Sequence, residues 1–339
     1  MAISRRKLEL VGAMAAVVVV AAGIGISTAN AGTRGPWHSA EPTRSTPTRA
    51  VTTPPAPAVT SPTPKPGTSR PATATASTTS PAAASPAVSV SATTGTNAGT
   101  WTPPPADATF DYQIGGAYPP PAGVTVVSRD SEAAPAAGLY NICYLNAFQA
   151  QPGAESWWQT NHPDLLLRDS NGDLVIDEDW NEPMLDFSTA AKRTALTGIV
   201  GAWMDRCAAK GFQAVEPDNL DSYTRSEGLL TQSQAIAYAT SLATRAHSRG
   251  LAVGQKNTAD LSSANAKKIG FDFAVAEECA DYDECDAYTS SYGDNVIVIE
   301  YSRSGFAKAC GSHGDRLSVV LRDVDVTIAG SKSYAYQAC

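Results

Sequence analysis

The chain has 339 residues, with 33 Asp+Glu against 25 Lys+Arg and 43% hydrophobic residues. Eight basic and two acidic residues precede residue 107, so the remainder carries a net charge of about −14 with histidine neutral. A surface this acidic argues against a nucleic-acid partner and for a cationic polymer, although excess acidity also serves solubility alone. His162, His247 and His313 are scattered, with none at metal-ligand spacing, so no metal or cofactor is expected.

Residues 1–31 read as a secretory signal. Arg5, Arg6 and Lys7 precede an apolar run from Leu10 to Ile26, and Ala29-Asn30-Ala31 offers small residues for cleavage. Ser4-Arg5-Arg6 gives a faint twin-arginine match. The apolar run is short for a membrane span, which leaves an uncleaved anchor as the alternative. Residues 32–106 are rich in Pro, Thr, Ser and Ala and too poor in apolar surface to offset their ordering entropy. They read as a disordered, extended linker with the composition of an O-glycosylated stalk.

Residues 107–339 are sized for one domain. Behind the export signal it is expected to be extracellular, with a monomer and no membrane contact of the mature domain as further expectations. All six cysteines lie there, and behind an export signal an even count favours disulfides. Cys279 and Cys285 are close enough to staple one loop. Cys310 with Cys339 and Cys143 with Cys207 are the expected remaining pairs, which sequence alone leaves open.

Eight short apolar runs read as strands: 110–114, 124–127, 139–145, 212–215, 251–254, 271–275, 296–299 and 317–321. Two amphipathic stretches between them, 189–210 and 232–249, read as helices stopped by Gly211 and Gly250. Alternation of strand and helix over this length predicts an α/β fold, a (β/α)8 TIM-type barrel. It is irregular at the first crossover, where residues 115–123 with Pro119-Pro120-Pro121 leave no room for a helix. A hairpin insertion lies between strands three and four, signalled by Asn171-Gly172 between apolar runs. Its Asp-rich turn lacks the glycine position and closing Glu of an EF-hand loop. Trp157, Trp158 and Trp180 are equally suited to stacking on sugar and to capping the core.

The stretch Val215-Glu216-Pro217-Asp218-Asn219-Leu220-Asp221-Ser222-Tyr223 concentrates carboxylates where the fourth strand ends, with Pro217 expected to stop the ladder. A polar turn is the plain reading. Two carboxylates flanking a proline, at the strand end where barrels keep their catalytic groups, favour chemistry. Other strand ends add Gln255-Lys256-Asn257, Glu277-Glu278, Glu300-Tyr301 and Arg322-Asp323. Neighbouring carboxylates split their proton affinities, as an acid and nucleophile of glycoside hydrolysis require. No nucleophile elbow and no phosphate-cradling glycine loop is present.

Residues 212–223, Val253-Gly254-Gln255-Lys256-Asn257 and 271–279 running to Asp283-Glu284-Cys285 resemble glycoside hydrolase family 114. Ile142-Cys143-Tyr144, Met184-Leu185-Asp186, Ile299-Glu300-Tyr301 and Leu321-Arg322-Asp323 match in the same order. The resemblance implies a secreted barrel, an endo-α-1,4-polygalactosaminidase acting on a cationic, galactosaminogalactan-like exopolysaccharide. The short first crossover and the added hairpin depart from the family pattern. Resemblance and strand position together make Asp218 the expected nucleophile and Glu277 the expected acid/base, with Glu300 as a rival partner for Asp218. Glu216, Asn219, Asp221, Tyr223, Lys256, Asn257, Asp111, Tyr144, Asp186 and Glu300 are candidate substrate contacts. Lys256 suits a carboxylate ion pair equally well. Retention needs the carboxyl groups about 5–5.5 Å apart and inversion a wider gap. A non-catalytic, adhesin-like binding barrel is the alternative, which the presence of both Asp218 and Glu277 disfavours.

Overall fold

The computed structural model describes residues 100–339. The expected signal segment and nearly all of the linker lie outside those residues. The packed domain reaches back further than residue 107. Trp101 stacks on His247 with ring centroids 3.8 Å apart and donates its indole N–H to Asp272 Oδ1, while the Pro104 carbonyl accepts from Asn295.

Eight parallel strands form the barrel: β1 (Phe110–Gln113), β2 (Val126–Asp130), β3 (Tyr140–Asn146), β6 (Ala214–Asp218), β7 (Ala252–Lys256), β8 (Phe273–Glu277), β9 (Val296–Glu300) and β10 (Ser318–Arg322). Between β3 and β6 the insertion contributes the short antiparallel pair β4 (Ile176–Asp177) and β5 (Glu182–Pro183). A last strand, β11 (Tyr336–Ala338), runs antiparallel beside β10 and is tied down by Cys310–Cys339. The outer helices are α1 (Glu155–Asn161), α2 (Ala190–Lys210), α3 (Gln232–His247), α4 (Ser263–Ile269), α5 (Cys285–Tyr292) and α6 (Arg303–His313). This is a (β/α)8 TIM-type barrel, nearly closed. Side chains bridge the seam between β10 and β1: the Ala108 N–H donates to Ser318 Oγ, and Arg322 pairs with Asp111.

Alternation along each strand sorts residues into two layers. Phe110, Tyr112, Val126, Ile142, Ala214, Ala252, Phe273, Val275, Ile297, Ile299 and Val320 fill the lumen. Their neighbours pack outward against helices, Cys143, Val215 and Val253 beneath α2 and α3, and Ala274, Ala276, Val296 and Val298 beneath α5 and α6. Gly254 is small because Phe273 takes its space: a Cβ there would lie 2.8 Å from Phe273 Cζ.

Helix ends follow their local chemistry. Thr189 caps α2, and Gly211 ends it at φ +96°; Thr231 and Gln234 form a capping box on α3. Ser302, in the segment without a nucleophile-elbow glycine, is the cap of α6. All three expected disulfides are present, Cys143–Cys207, Cys279–Cys285 and Cys310–Cys339.

The first crossover carries no helix. In its place Asp111, Gln113, Tyr118 and Arg129 satisfy one another on the outer face of β1 and β2, with Arg129 Nε donating to Gln113 Oε1 at 2.9 Å and Tyr118 Oη to Asp111 Oδ1 at 3.0 Å. Strand ends require one correction. Pro217 does not stop β6, which continues on the β3 side through Leu145–Pro217 to Asn146–Asp218. On the β7 side the ladder has already ended at Val215–Val253, so the missing proline N–H leaves no gap there.

Candidate active site

β6, β7 and β8 end side by side, each with a charged residue as its last member: Asp218, Lys256 and Glu277. By alternation all three share the lumen side with Ala214, Ala252 and Phe273. Glu216, two residues before Asp218, lies one layer deeper. Lys256 Nζ is 3.3 Å from Glu216 Oε1, 3.3 Å from Asp218 Oδ1 and 3.4 Å from Glu277 Oε2, and it donates to Tyr112 Oη at 3.1 Å. A buried ammonium therefore joins three carboxylates at the carboxyl mouth of the barrel.

Each carboxylate is held by further donors. Asp218 Oδ2 accepts from Tyr144 Oη at 2.7 Å and Oδ1 from the Asn219 N–H at 2.7 Å. Glu277 Oε1 accepts from Tyr301 Oη at 2.5 Å and Oε2 from Asn257 Nδ2 at 2.9 Å, while Asn257 Oδ1 accepts the Glu277 N–H. Glu216 accepts from Tyr112 Oη and Ser128 Oγ. Residues just beyond these strands take left-handed backbone conformations: Asn219 at φ +69°, Asn257 at +47°, Thr258 at +66° and Glu278 at +56°. For Thr and Glu this is strained backbone, of the kind that clusters at functional sites.

Because Asp218 Oδ1 and Glu277 Oε2 touch the same nitrogen, they are separated by less than the two contact distances laid end to end, about 6.7 Å. That bound includes the spacing of a retaining pair and meets only the lower edge of the inverting range.

Charge states follow from the same contacts. Burial pulls the Lys256 ammonium down, but Asp218, Glu277 and Glu216 outweigh it and hold its pKa well above the ordinary value. Burial pushes Glu277 up, and the Lys256 ammonium, with the Tyr301 hydroxyl, acts against it to favour the anion. Glu216 is raised, since its burial exceeds what Lys256 and Ser128 return. Tyr112, Tyr144 and Tyr301 are pushed well up by burial and the surrounding carboxylates, so they remain donors.

The remaining candidates stand elsewhere. Glu300 shares the outward parity of Val296 and Val298, and it accepts the Ala280 N–H at 2.8 Å beneath the start of α6. Burial, with Asp281 and Glu278 adding, pushes its carboxyl to about 7. The Asp218–Glu300 pairing therefore lacks a shared face. Asp111 is engaged at the seam by Arg322. Asp186 accepts from Lys192 and the Ser188 N–H at the start of α2. Tyr223 Oη donates to Asp260 Oδ2 and accepts from Gln232. Asp221 pairs with Arg225, which also binds Asp177 of β4 and so pins the insertion to the loop after β6. Trp158 is fully buried, Trp157 is 43% exposed, and only Trp180 lines a cleft at the mouth.

That cleft, of about 220 Å³, runs along the ends of β1, β2, β3 and β10 and places Tyr144, Trp180 and Glu182 on its walls. Residues 90–339 match the sequence profile described as glycoside-hydrolase family GH114. The chain belongs to that family. As a GH114 member it is a glycoside hydrolase, and its carboxylate-lined mouth has the groups that such hydrolysis uses. Among solved structures, Ega3 of Aspergillus fumigatus in complex with galactosamine is 24% identical with TM-score 0.58, covering 72% of this chain and 100% of that one. The glycoside hydrolase domain of PelA from Pseudomonas aeruginosa is 14% identical with TM-score 0.47, covering 67% of this chain and 98% of that one. Comparison with curated proteins finds no match. Tyr112, Ser128, Tyr301, Asn146 and Glu182 join the sequence candidates at this GH114 site. For the first four, counting by twos from the lumen residues Phe110, Val126, Ile299 and Ile142 of their own strands is the signal that finds them.

Proposed function

We propose that this GH114 enzyme is secreted and cleaves α-1,4-linked galactosamine/N-acetylgalactosamine polysaccharide within the chain, with retention of anomeric configuration. The single observation carrying the catalytic part is the sharing of Lys256 by Asp218 and Glu277 at the barrel mouth. Asp218 attacks the anomeric carbon, held by Tyr144 and the Asn219 N–H in one rotamer. Glu277 protonates the leaving oxygen and later activates water. Lys256 keeps Glu277 anionic in the open site, so a bound sugar ring must raise its proton affinity by excluding water and drawing on the like charge of Asp218.

The glycan class is supported by the acidic domain, which suits a cationic polymer, and by the galactosamine bound to Ega3. Three disulfides support an oxidising compartment. Among the described residues, no helix is long and apolar enough to cross a membrane. The test is release of new reducing ends from purified galactosamine polymer by wild type, D218N and E277Q. Loss in both variants with folding intact supports the assignment, and full activity in either removes that residue from the chemistry.

A further inference from the structure

The insertion between β3 and β6 is fastened to the turn that carries Asp218, and one cation makes the joint. Arg225 ends the short helical turn Ser222–Arg225 that follows Asp221. Its Nε donates to Asp177 Oδ2 of β4 at 2.6 Å, its Nη1 lies 3.1 Å from Asp221 Oδ2, and its Nη2 donates to Asn219 Oδ1 at 3.3 Å. Asp177 and Asp221 are both buried, so removal of the guanidinium leaves two carboxylates uncompensated. Lysine is no substitute, because a single ammonium does not span three acceptors that the planar fork meets at once.

Asn219 carries the joint to the chemistry. Its backbone sits at φ +69°, and its N–H donates to Asp218 Oδ1 at 2.7 Å. Both ends of its side-chain amide are engaged: Oδ1 accepts from Arg225, and Nδ2 donates to Asn146 Oδ1 at 2.9 Å. Asn146 ends β3 and donates to Glu182 Oε2 on β5, directly opposite Asp177 in the β4–β5 ladder. The left-handed turn is thus held through two attachments to the same small ladder. Rotating that turn withdraws the N–H from Asp218 and loosens the rotamer that faces Lys256 and Tyr144.

We propose that the insertion is part of the catalytic machinery and that Arg225 is its positioning residue: by tying Asp177 of β4 to Asn219, it sets the orientation in which Asp218 meets the anomeric carbon. Arg225 acts through Asn219. This role rests on the reading of Asp218 as nucleophile given above.

The test measures kcat and KM on α-1,4 galactosamine oligomer for wild type, R225A, R225K and D177A. D177A cuts the insertion's end of the joint and leaves Arg225 with Asp221. kcat should fall about 100-fold in R225A, the cost of an ångström-scale misplacement, and about tenfold in R225K and D177A, with KM within about threefold throughout. Guanidinium chloride, well below its unfolding range, should return about tenfold of the R225A kcat by seating between Asp177 and Asp221; sodium chloride at equal ionic strength should not. A wild-type kcat in R225K or D177A overturns the proposal whether or not R225A folds, and so does a folded R225A that guanidinium leaves unrecovered. A second arm follows amide hydrogen exchange of residues 174–187 and 214–224, independently of turnover. R225K should speed exchange in both segments by about tenfold, whereas faster exchange in 174–187 alone, or in neither, overturns the proposal. Coupled exchange in a wild type that cleaves no oligomer supports the joint and refutes the proposed hydrolysis alone.

Discussion

Replacing Lys256 by Met removes the ammonium while keeping most of the stem's volume, and leaves Glu216, Asp218 and Glu277 facing one another unneutralised. Each pair at 3.3–3.4 Å is a Coulomb attraction of about 5 kcal/mol at an effective dielectric of about 20. The cost of burying the ammonium offsets much of that, so the net loss is that of breaking a buried ion pair, about 3–5 kcal/mol. Typical domain stability is about 5–15 kcal/mol, so K256M should fold but unfold at lower denaturant. The pH dependence distinguishes electrostatics from a packing defect. In wild type, Glu277 is held below its unfolded value, so it contributes stability that is complete above about pH 4.3 and lost as pH falls through the lower folded pKa. In K256M burial and mutual repulsion outweigh the hydroxyl and amide donors that remain, the folded carboxylates rise above their unfolded values, and their stability is present at low pH and lost as pH rises. The gap between the proteins should therefore be largest near pH 7.5 and shrink towards about pH 5 in urea unfolding. A gap of the same size at both pH values would refute the reasoning.

Three further outcomes follow from particular contacts. Y301F removes a donor to Glu277, so the limb of the kcat/KM pH profile set by Glu277 should move about 1–2 units upward; an unmoved limb contradicts the contact's role. Removing Cys143–Cys207, which spans 64 residues, should cost about 4 kcal/mol in chemical unfolding, against about 2 kcal/mol for Cys279–Cys285, which spans 6. G254A forces a Cβ against the Phe273 ring, and overpacking of this kind should lower stability by about 1–3 kcal/mol, read from thermal unfolding.

The strands were legible because both faces are buried, which leaves continuous apolar runs bounded by polar turns. Their carboxyl ends were not. Glu216, Asp218, Lys256 and Glu277 are strand residues in the structure, yet charge at a strand end reads locally as a turn. Only the mutual neutralisation around Lys256 makes their burial possible, and that depends on three strands meeting. The choice between Glu277 and Glu300 turned on parity. Both follow apolar runs, and the run gives no phase until the lumen face of β8 and β9 is known. Asp186 sits in the Met184-Leu185-Asp186 motif, and motif order carries no information about which way a side chain faces; Asp111 lies in an apolar strand run that likewise gives no phase. Asn146 ends β3 on the parity of Ile142 and Tyr144 and becomes visible once that lumen face is known. Glu182 had no sequence signal, since the insertion reaches the mouth only through tertiary contacts such as Arg225 with Asp177. Trp101 sits in proline-rich composition that reads as linker, while its ring stacks on His247, a contact no local composition reveals.

The most direct test of the Asp218–Glu277 pairing is proton NMR of the first sugar anomer released from an α-1,4 galactosamine oligomer, recorded before mutarotation. Release of the α-anomer first is the result expected of two carboxylates close enough to share one lysine. Release of the β-anomer first, or no cleavage of the oligomer, would contradict it.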